Sequence, residues 1–184
     1  KKQDKLKRES SAGGVVFKRI KNQESRIKTK AELAKVLWMV TKSRPSELFP
    51  KPVWRLPKGW LDDKDGEKKP GLLASGQRKA TEEELQKAAI REVKEEGGIE
   101  AKIVSKIGTE RYFFTLKKKK ILKFVTFYLM EWLKDLPQGA GFETEKVEWL
   151  LYKEARKKLS YSGEKKVLDK AREILSSGVQ ESLV

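Results

Sequence analysis

The segment from Thr81 to Gly98 constrains the fold more tightly than any other part of the chain. Thr81 and, three residues later, Glu84 form the pattern of a capping box, which starts a helix. The pair Gly97-Gly98 is a typical helix end, because glycine adopts the left-handed conformation that closes the last turn. Apolar residues recur between these ends at helical spacing: Leu85, Ala89 and Val93. The pattern predicts an amphipathic helix with one face against a core.

Strand-like runs flank this helix along the chain. Apolar runs that end at glycine, proline or charged residues predict strands. They span residues 11–19, 36–40, 53–56, 99–115, 121–132 and 147–152. Two further helices are predicted over residues 153–159 and 164–176. Because helices and strands alternate without regular βαβ spacing, the sequence predicts an α/β fold with a mixed sheet between helices.

Missing residue types limit the available chemistry. The 184 residues include no Cys and no His, which excludes disulfides, a Ser-His-Asp triad and His or Cys metal ligands. A catalyst must therefore use carboxylates, Lys, Tyr, Arg or a bound metal. The net charge of +16 favours polyanionic partners such as nucleotides, RNA or acidic membranes. A lysine-rich surface that only aids solubility explains this charge equally well.

Three glutamates share one arc at the end of the predicted helix. Glu92, Glu95 and Glu96 fall within about 100° of one another at helical periodicity. Their charges repel, and the helix dipole disfavours negative charge at this end. A hard divalent cation such as Mg²⁺ would turn the repulsion into coordination. A solvated acidic face, compensated by nearby Lys and Arg, is the alternative that spacing leaves open.

The wider pattern resembles the Nudix box. Seven residues separate Glu83 from Arg91, and the run from Arg91 to Ile99 (REVKEEGGI) matches the fixed positions of the second half of the box. The segment Ser11–Phe17 is similar to the opening strand of the family, and Trp54–Gly59 to the segment that leads into the box. The resemblance implies the Nudix α/β/α sandwich, with a mixed β-sheet between helices.

The domain boundaries and one departure from the box complete this interpretation. We expect a flexible basic tail at residues 1–10 and a single domain over residues 11–184. The family's glycine should stand six residues before Glu83, where this chain has Gln77. We interpret residues at about 62–79 as an insertion in the loop of the box, which a loop absorbs at modest entropic cost.

The resemblance also implies a metal site. The ligands of Mg²⁺ or Mn²⁺ would be the carbonyl of Gly59 and the carboxylates of Glu92, Glu95 and Glu96. Arg91 would belong to the catalytic set by orienting these carboxylates. The remaining acid of the box, Glu83, would support the cluster without touching the metal.

The sequence does not decide which of several glutamates is the general base. Members of the family use either a glutamate of the box, here Glu92 or Glu95, or a glutamate of a later loop. Glu143 and Glu145 lie shortly before Trp149 and are placed for the second role. They could equally be surface acids that precede a strand.

Several motifs resemble those of bacterial diadenosine polyphosphate hydrolases. Basic residues would bind phosphates beyond the metal, and tyrosines would stack on adenine. The candidates for substrate binding are Lys58, Arg111, Tyr112, Lys118, Lys123 and Tyr161. Aromatic residues at alternate strand positions are more often core, and lysines at a hairpin tip more often protect a sheet edge.

The function expected is a metal-dependent pyrophosphohydrolase. It would cleave a phosphoanhydride of a nucleoside diphosphate linked to another group, with a diadenosine polyphosphate as the favoured substrate. Removal of pyrophosphate from RNA 5′ ends, nucleoside triphosphate cleavage and a catalytically silent nucleotide-binding module are the alternatives. No stretch approaches the roughly 18 apolar residues of a membrane span, so a cytoplasmic location without a membrane partner is expected. The oligomeric state is not predicted.

Overall fold

The fold is built on one mixed seven-stranded sheet. The computed structural model describes residues 6–20, 29–47, 49–63 and 69–180. The strands are β1 (Lys7–Arg19), β2 (Val36–Ser43), β3 (Trp54–Arg55), β4 (Lys58–Trp60), β5 (Ile99–Leu116), β6 (Lys119–Asp135) and β7 (Thr144–Leu151). Their main order is β3-β2-β1-β6-β5, with β4 beside β1 and β7 beside β2. The strands β1 and β6 are parallel and the other pairs antiparallel, so the predicted mixed sheet is confirmed.

Helices cover both faces of this sheet. They are α1 (Lys30–Ala34), α2 (Glu82–Gly97), α3 (Tyr152–Lys158) and α4 (Ser162–Gln180). On one face, buried side chains such as Phe17 and Trp38 pack with Val167 and Leu168 of α4. On the other face, buried residues of the sheet pack with α2 in a second cluster that includes Val16, Met39, Ala89 and Val93. The predicted α/β/α sandwich is therefore confirmed.

Both predicted ends of α2 are present. The Thr81 hydroxyl accepts the Glu84 N–H at 3.2 Å, and the Glu84 carboxylate accepts the Thr81 N–H at 2.9 Å. At the other end Gly98 has a φ of 65°, a conformation that non-glycine residues rarely adopt. A Cβ at Gly98 would also overlap the backbone at Gly139. The helix therefore begins and ends where local chemistry predicted.

The expected flexible tail at residues 1–10 is wrong for its second half. The strand β1 begins at Lys7, where it pairs with Ile121 of β6. Glu9 is only 3% exposed, because it lies inside the sheet and accepts a hydrogen bond from the Trp60 indole at 3.1 Å. Residues 1–5 lie outside the described residues. Pairing with a strand more than 100 residues away orders this basic segment.

The expected insertion at about 62–79 is partly built into the fold. Leu73 and Ala74 are buried, and the Ala74 carbonyl accepts the Ser10 N–H at 2.7 Å. The Asp62 carboxylate accepts the N–H groups of Leu73 and Ala74 at 3.1 and 2.7 Å. The middle of the segment, residues 64–68, lies outside the described residues. A carboxylate and a strand of the sheet thus anchor the far end of the segment.

None of the helices in the described parts of the chain has the length and apolar character that crossing a membrane requires.

We predict that Asp62→Ala lowers the free energy of unfolding by about 2–4 kcal/mol, because two backbone N–H groups lose a charged acceptor. Urea denaturation measures this loss. Asp63→Ala is the matched control, since Asp63 is exposed and its change should stay within about 0.5 kcal/mol. Equal stabilities of the two variants would mean that the segment is not anchored by Asp62.

Candidate active site

The last turn of α2 presents its glutamates in different surroundings. Glu92 and Glu96 are 9% and 5% exposed, whereas 60% of the Glu95 side chain is exposed. Helical spacing explains the difference, because Glu92 and Glu96 lie one turn apart on the side that faces β4. Beside Glu95, a groove of about 400 Å³ separates α2 from the loop around Gly139.

Glu96 is held by the segment that precedes β4. Its two carboxylate oxygens accept hydrogen bonds from Arg55 Nη2 at 2.7 Å and from the Lys58 N–H at 3.1 Å. Burial raises the pKa of Glu96, and the nearby Glu143 acts in the same direction, while Arg55 and Lys58 oppose the shift. The carboxylate therefore ties the end of α2 to residues 55–58.

Glu92 lies against the backbone of Gly59. A Cβ at Gly59 would overlap the Glu92 carboxylate, so only glycine allows this approach. Burial raises the pKa of Glu92 to about 7, Glu96 adds to the shift, and the hydrogen bond from Arg91 opposes it. The structure thus brings together Gly59 and Glu92, which the family resemblance paired as metal ligands.

Arg91 holds the strand β4 and the glutamates together. Its Nη2 donates to the Trp60 carbonyl at 2.6 Å and to Glu92 at 2.8 Å. Its Nε lies 3.9 Å from the Glu95 carboxylate. A rigid guanidinium suits this bridging role because it presents several donors in one plane. The position agrees with the expectation that Arg91 orients the carboxylates.

The loop at residues 136–143 caps the end of α2. The last carbonyls of a helix lack partners within the helix, and donors of this loop and of β7 supply three. The donors are Leu136 N–H to Gly98, Gly141 N–H to Glu95 and the Thr144 hydroxyl to Glu96, at 2.7–2.8 Å.

This capping separates the two candidates for the later general base. Glu143 precedes Thr144, whose hydroxyl donates to the Glu96 carbonyl at 2.8 Å, and the charge of Glu143 contributes to the raised pKa of Glu96. Glu145 instead pairs with Lys42 at 3.2 Å, two residues further along β7. Of the two, Glu143 influences the charge of Glu96, whereas Glu145 is engaged by Lys42.

A second buried ion pair lies behind Glu96. Lys58 Nζ is 2.9 Å from Glu164 Oε1, and both side chains are less than a tenth exposed. The same oxygen accepts the Leu56 N–H at 3.1 Å. Within the described residues, Glu164 Oε2 and Arg55 Nε are buried and have no hydrogen-bond partner. The pair ties α4 to the same segment that holds Glu96.

Two other candidates for substrate binding line this polar region. Burial lowers the pKa of Lys123 to about 8, and the nearby Lys58 acts in the same direction. Although Tyr112 is 41% exposed, desolvation raises its pKa to about 12, with contributions from Glu164 and Tyr161. Tyr112 lies opposite Lys123 in the β5–β6 pairing, and Tyr161 follows Ser160, whose N–H donates to the Trp54 carbonyl at 2.9 Å. These candidates and Lys58 therefore belong to one end of the sheet.

Three predicted site residues lie elsewhere. Arg111 follows the opposite face of β5 from Tyr112, because successive strand residues alternate. Lys118 lies in the β5–β6 turn, roughly 16 Å along β6 from Lys123. Glu83 lies in the first turn of α2, about 13 Å along the helix from Glu92, and pairs with Lys87 at 2.7 Å. The expectation that Glu83 supports the cluster is wrong, because the helix carries it away from the other glutamates.

The donors at the end of α2 suit a hard divalent cation. Carboxylate and carbonyl oxygens prefer Mg²⁺ or Mn²⁺, and Gly59 leaves the Glu92 carboxylate against the backbone. Across the described ranges, no three acidic side chains are gathered into a ready-made metal site. The reason is that Glu96 faces Arg55 while Glu95 faces solvent. The residues at the end of α2 therefore offer the type of donor atom that such a cation prefers, but they do not form a preformed coordination cage.

Three residues of this site were not singled out from the sequence. Arg55 lies in the segment Trp54–Gly59, which resembles the segment that leads into the box, so this resemblance was a signal that could have identified it. Glu164, and Glu9, which lies opposite Lys123 in the β1–β6 pairing, are single acids near the starts of a helix and a strand. Such acids are common, so no local pattern distinguishes them.

Comparison with known proteins agrees with this geometry. The sequence profile of the NUDIX domain family matches residues 28–171, and the chain belongs to this family. Over 167 residues the chain is 27% identical to a protein of Mycobacterium tuberculosis (strain CDC 1551 / Oshkosh) that carries the name of a mutator protein, MutT4. The match covers 91% of this chain but 56% of that protein, so the chain spans about half the length of this curated relative.

Solved structures share the fold at low identity. The binary complex of C. elegans Ap4A hydrolase has a TM-score of 0.56 and 20% identity, covering 92% of this chain and 98% of that one. The NUDIX domain of Shewanella oneidensis NrtR, complexed with ADP ribose, has a TM-score of 0.57 and 12% identity, covering 95% and 93%. The shared fold is consistent with membership of the NUDIX domain family.

We predict that Gly59→Ala lowers the free energy of unfolding by roughly 1–3 kcal/mol, because the added Cβ displaces the Glu92 carboxylate. Gly163→Ala is the matched control, since nothing lies within 4 Å of a Cβ there. Calorimetry or urea denaturation distinguishes the two. A fully stable Gly59→Ala variant would contradict the close approach.

We further predict that Glu164→Ala costs roughly 3–5 kcal/mol, because it leaves the Lys58 ammonium buried without its partner. Glu164→Gln should cost less, since the amide oxygen can still accept both hydrogen bonds. Glu154→Ala, an exposed glutamate of α3, serves as the control in urea denaturation. Similar losses for Glu154→Ala and Glu164→Ala would argue against a buried pair.

Proposed function

We propose that this domain is a metal-dependent pyrophosphohydrolase that cleaves the phosphoanhydride of a nucleoside diphosphate linked to another group. The observation that carries the proposal is the acidic end of α2 pressed against Gly59 and residues 55–58. Bound Mg²⁺ or Mn²⁺ would neutralise phosphate charge and lower the pKa of an attacking water. Gly59, Glu92, Glu95 and Glu96 would hold the cation.

The roles of the neighbouring residues follow from their contacts. Arg91 orients Glu92 and fixes the carbonyl of Trp60, so it acts as a positioning residue. Arg55 positions Glu96 in the same way. Glu143 is our candidate for the general base, since the adjacent Thr144 binds the Glu96 carbonyl and the charge of Glu143 acts on Glu96. Glu92 and Glu95 remain the alternatives within the box.

A diadenosine polyphosphate is the substrate that we favour. Lys58 and Lys123 would hold phosphates beyond the metal, since a long polyphosphate chain carries more charge than one metal neutralises. Tyr112 and Tyr161 would stack on adenine at the exposed end of the same region. The similarity to an Ap4A hydrolase fold supports this choice. A silent nucleotide-binding module is disfavoured because all three glutamates are present.

A substrate panel tests this proposal. Diadenosine tetraphosphate, ADP-ribose, nucleoside triphosphates and 5′-triphosphate RNA would each be incubated with Mg²⁺, Mn²⁺ or EDTA, and the products separated by chromatography. We expect the highest kcat/KM for the diadenosine compound and no turnover in EDTA. A preference for RNA or for nucleoside triphosphates would make that compound the substrate in place of the diadenosine polyphosphate. Turnover in EDTA would refute metal dependence. RNA as a partner and a cytoplasmic location stay predictions from the sequence.

We predict that Glu95→Gln and Glu96→Gln each lower kcat roughly 10²- to 10³-fold at saturating Mg²⁺, because each removes charge where the phosphoanhydride is cleaved. Glu100→Gln is the matched control, since Glu100 lies on β5 and pairs with Lys134 at 3.6 Å. Circular dichroism verifies that each variant is folded. Near wild-type turnover of Glu96→Gln would remove it from the ligand set.

A further inference from the structure

The hairpin formed by β5 and β6 ends in a two-stranded ribbon, residues 111–123, whose tip at residues 117–120 is exposed. Pairing within the hairpin continues to Leu116 and Lys119. Among the described residues, the pairing of β1 with β6 begins at Ile121. The last part of the ribbon therefore extends past the end of its neighbouring strand.

The ribbon carries only positive charge. Between residues 111 and 123 there are six basic residues and no acidic residue. They are Arg111, Lys117, Lys118, Lys119, Lys120 and Lys123. A charge of one sign over so short a segment creates a local positive field that attracts polyanions.

The turn of the ribbon holds lysines in a backbone conformation that is unfavourable for them. Lys117 and Lys118 have φ values of 48° and 63°, in the left-handed region. A two-residue hairpin turn of this kind favours Asn-Gly, because other side chains cost about 1 kcal/mol or more at such φ values. Two of the four consecutive lysines, Lys117 and Lys118, thus occupy the positions where the turn prefers Asn and Gly.

Exposed aromatic rings accompany the charges. Phe113 is 52% exposed, and Lys120 Nζ lies 4.3 Å from the centre of its ring. On the other face of the ribbon, the rings of Tyr112 and Phe114 are 6.4 Å apart. Lys123 Nζ lies 6.0 Å from the Phe114 ring. The exposed ring of Phe113 with the Lys120 ammonium is therefore the pair that is open to solvent, whereas Lys123 is largely buried.

Protection of a sheet edge explains only part of this pattern. The strand β5 is the edge strand of the sheet, and lysines on an edge discourage pairing with other chains. An exposed phenylalanine has the opposite effect, because it adds apolar surface to the edge. Basic side chains interleaved with exposed rings instead match the chemistry of an unpaired nucleic acid strand, with its phosphates and stacking bases.

We propose that the ribbon binds single-stranded nucleic acid, with its lysines on the phosphates and Phe113 under a base. The binding is independent of base sequence, because stacking and phosphate contacts read no base edges. It does not depend on hydrolysis, so it can be measured without divalent metal. The failure of either proposal therefore leaves the other standing.

The experiment measures anisotropy of labelled oligouridylate and oligothymidylate in EDTA, at salt concentrations between about 50 and 200 mM. The triple variant Lys117→Gln, Lys119→Gln, Lys120→Gln should reduce the slope of log K against log salt by about 2, since each phosphate contact on a single strand contributes about 0.7. The matched control removes three exposed lysines of α3 and α4, by Lys153→Gln, Lys157→Gln and Lys166→Gln.

A second variant tests stacking separately from charge. Phe113→Ala should weaken binding roughly 5- to 150-fold with an unchanged salt slope, and Phe113→Trp should retain it. Thermal melting confirms that each variant is folded. Equal losses in the ribbon and control triple variants would reduce the effect to net charge and overturn the proposal. Binding to phosphatidylserine vesicles without binding to either oligonucleotide would assign the ribbon to membrane surfaces and overturn it as well.

Discussion

The rest of the site depends on the buried carboxylate of Glu96. It accepts hydrogen bonds from the Arg55 side chain and the Lys58 backbone, and the carbonyl of the same residue accepts the Thr144 hydroxyl. A buried carboxylate without such donors would cost several kcal/mol. The helix end, the segment before β4 and the start of β7 therefore keep fixed positions relative to one another, and Glu92 and Gly59 meet as a result.

The pair of Lys58 and Glu164 extends this arrangement to the other layer of the sandwich. Glu96 comes from the helix on one face of the sheet, and Glu164 from a helix on the opposite face. Residues 55–58 lie between them and are held from both sides. A site supported in this way by side chains of rigid elements is preorganised, so binding of substrate requires little reordering. The oxygen ligands that we propose for the cation belong to the same supported unit.

Local chemistry explains why the helix α2 could be predicted so closely. Its capping box, its glycine end and its apolar stripe all involve residues no more than four positions apart. The start of the first strand and the segment after Asp62 were harder to predict. Lys7 is ordered by Ile121, and Ala74 by Ser10, partners that no local pattern identifies. The sequence predicted a flexible tail at residues 1–10 and a loop insertion at about 62–79, and long-range backbone hydrogen bonds order the described part of each.

The sequence alone determined the glutamates of the box, because they depend on periodicity and spacing within one helix, and the resemblance carried by that spacing implied the family and its α/β/α layering. Only the tertiary structure decided which acids share a site. It let the charge of Glu143 act on Glu96, carried Glu83 away along α2, and added Arg55 and Glu164. The physical reason is that buried charges are tolerated only with partners, and those partners come from segments far apart in the chain.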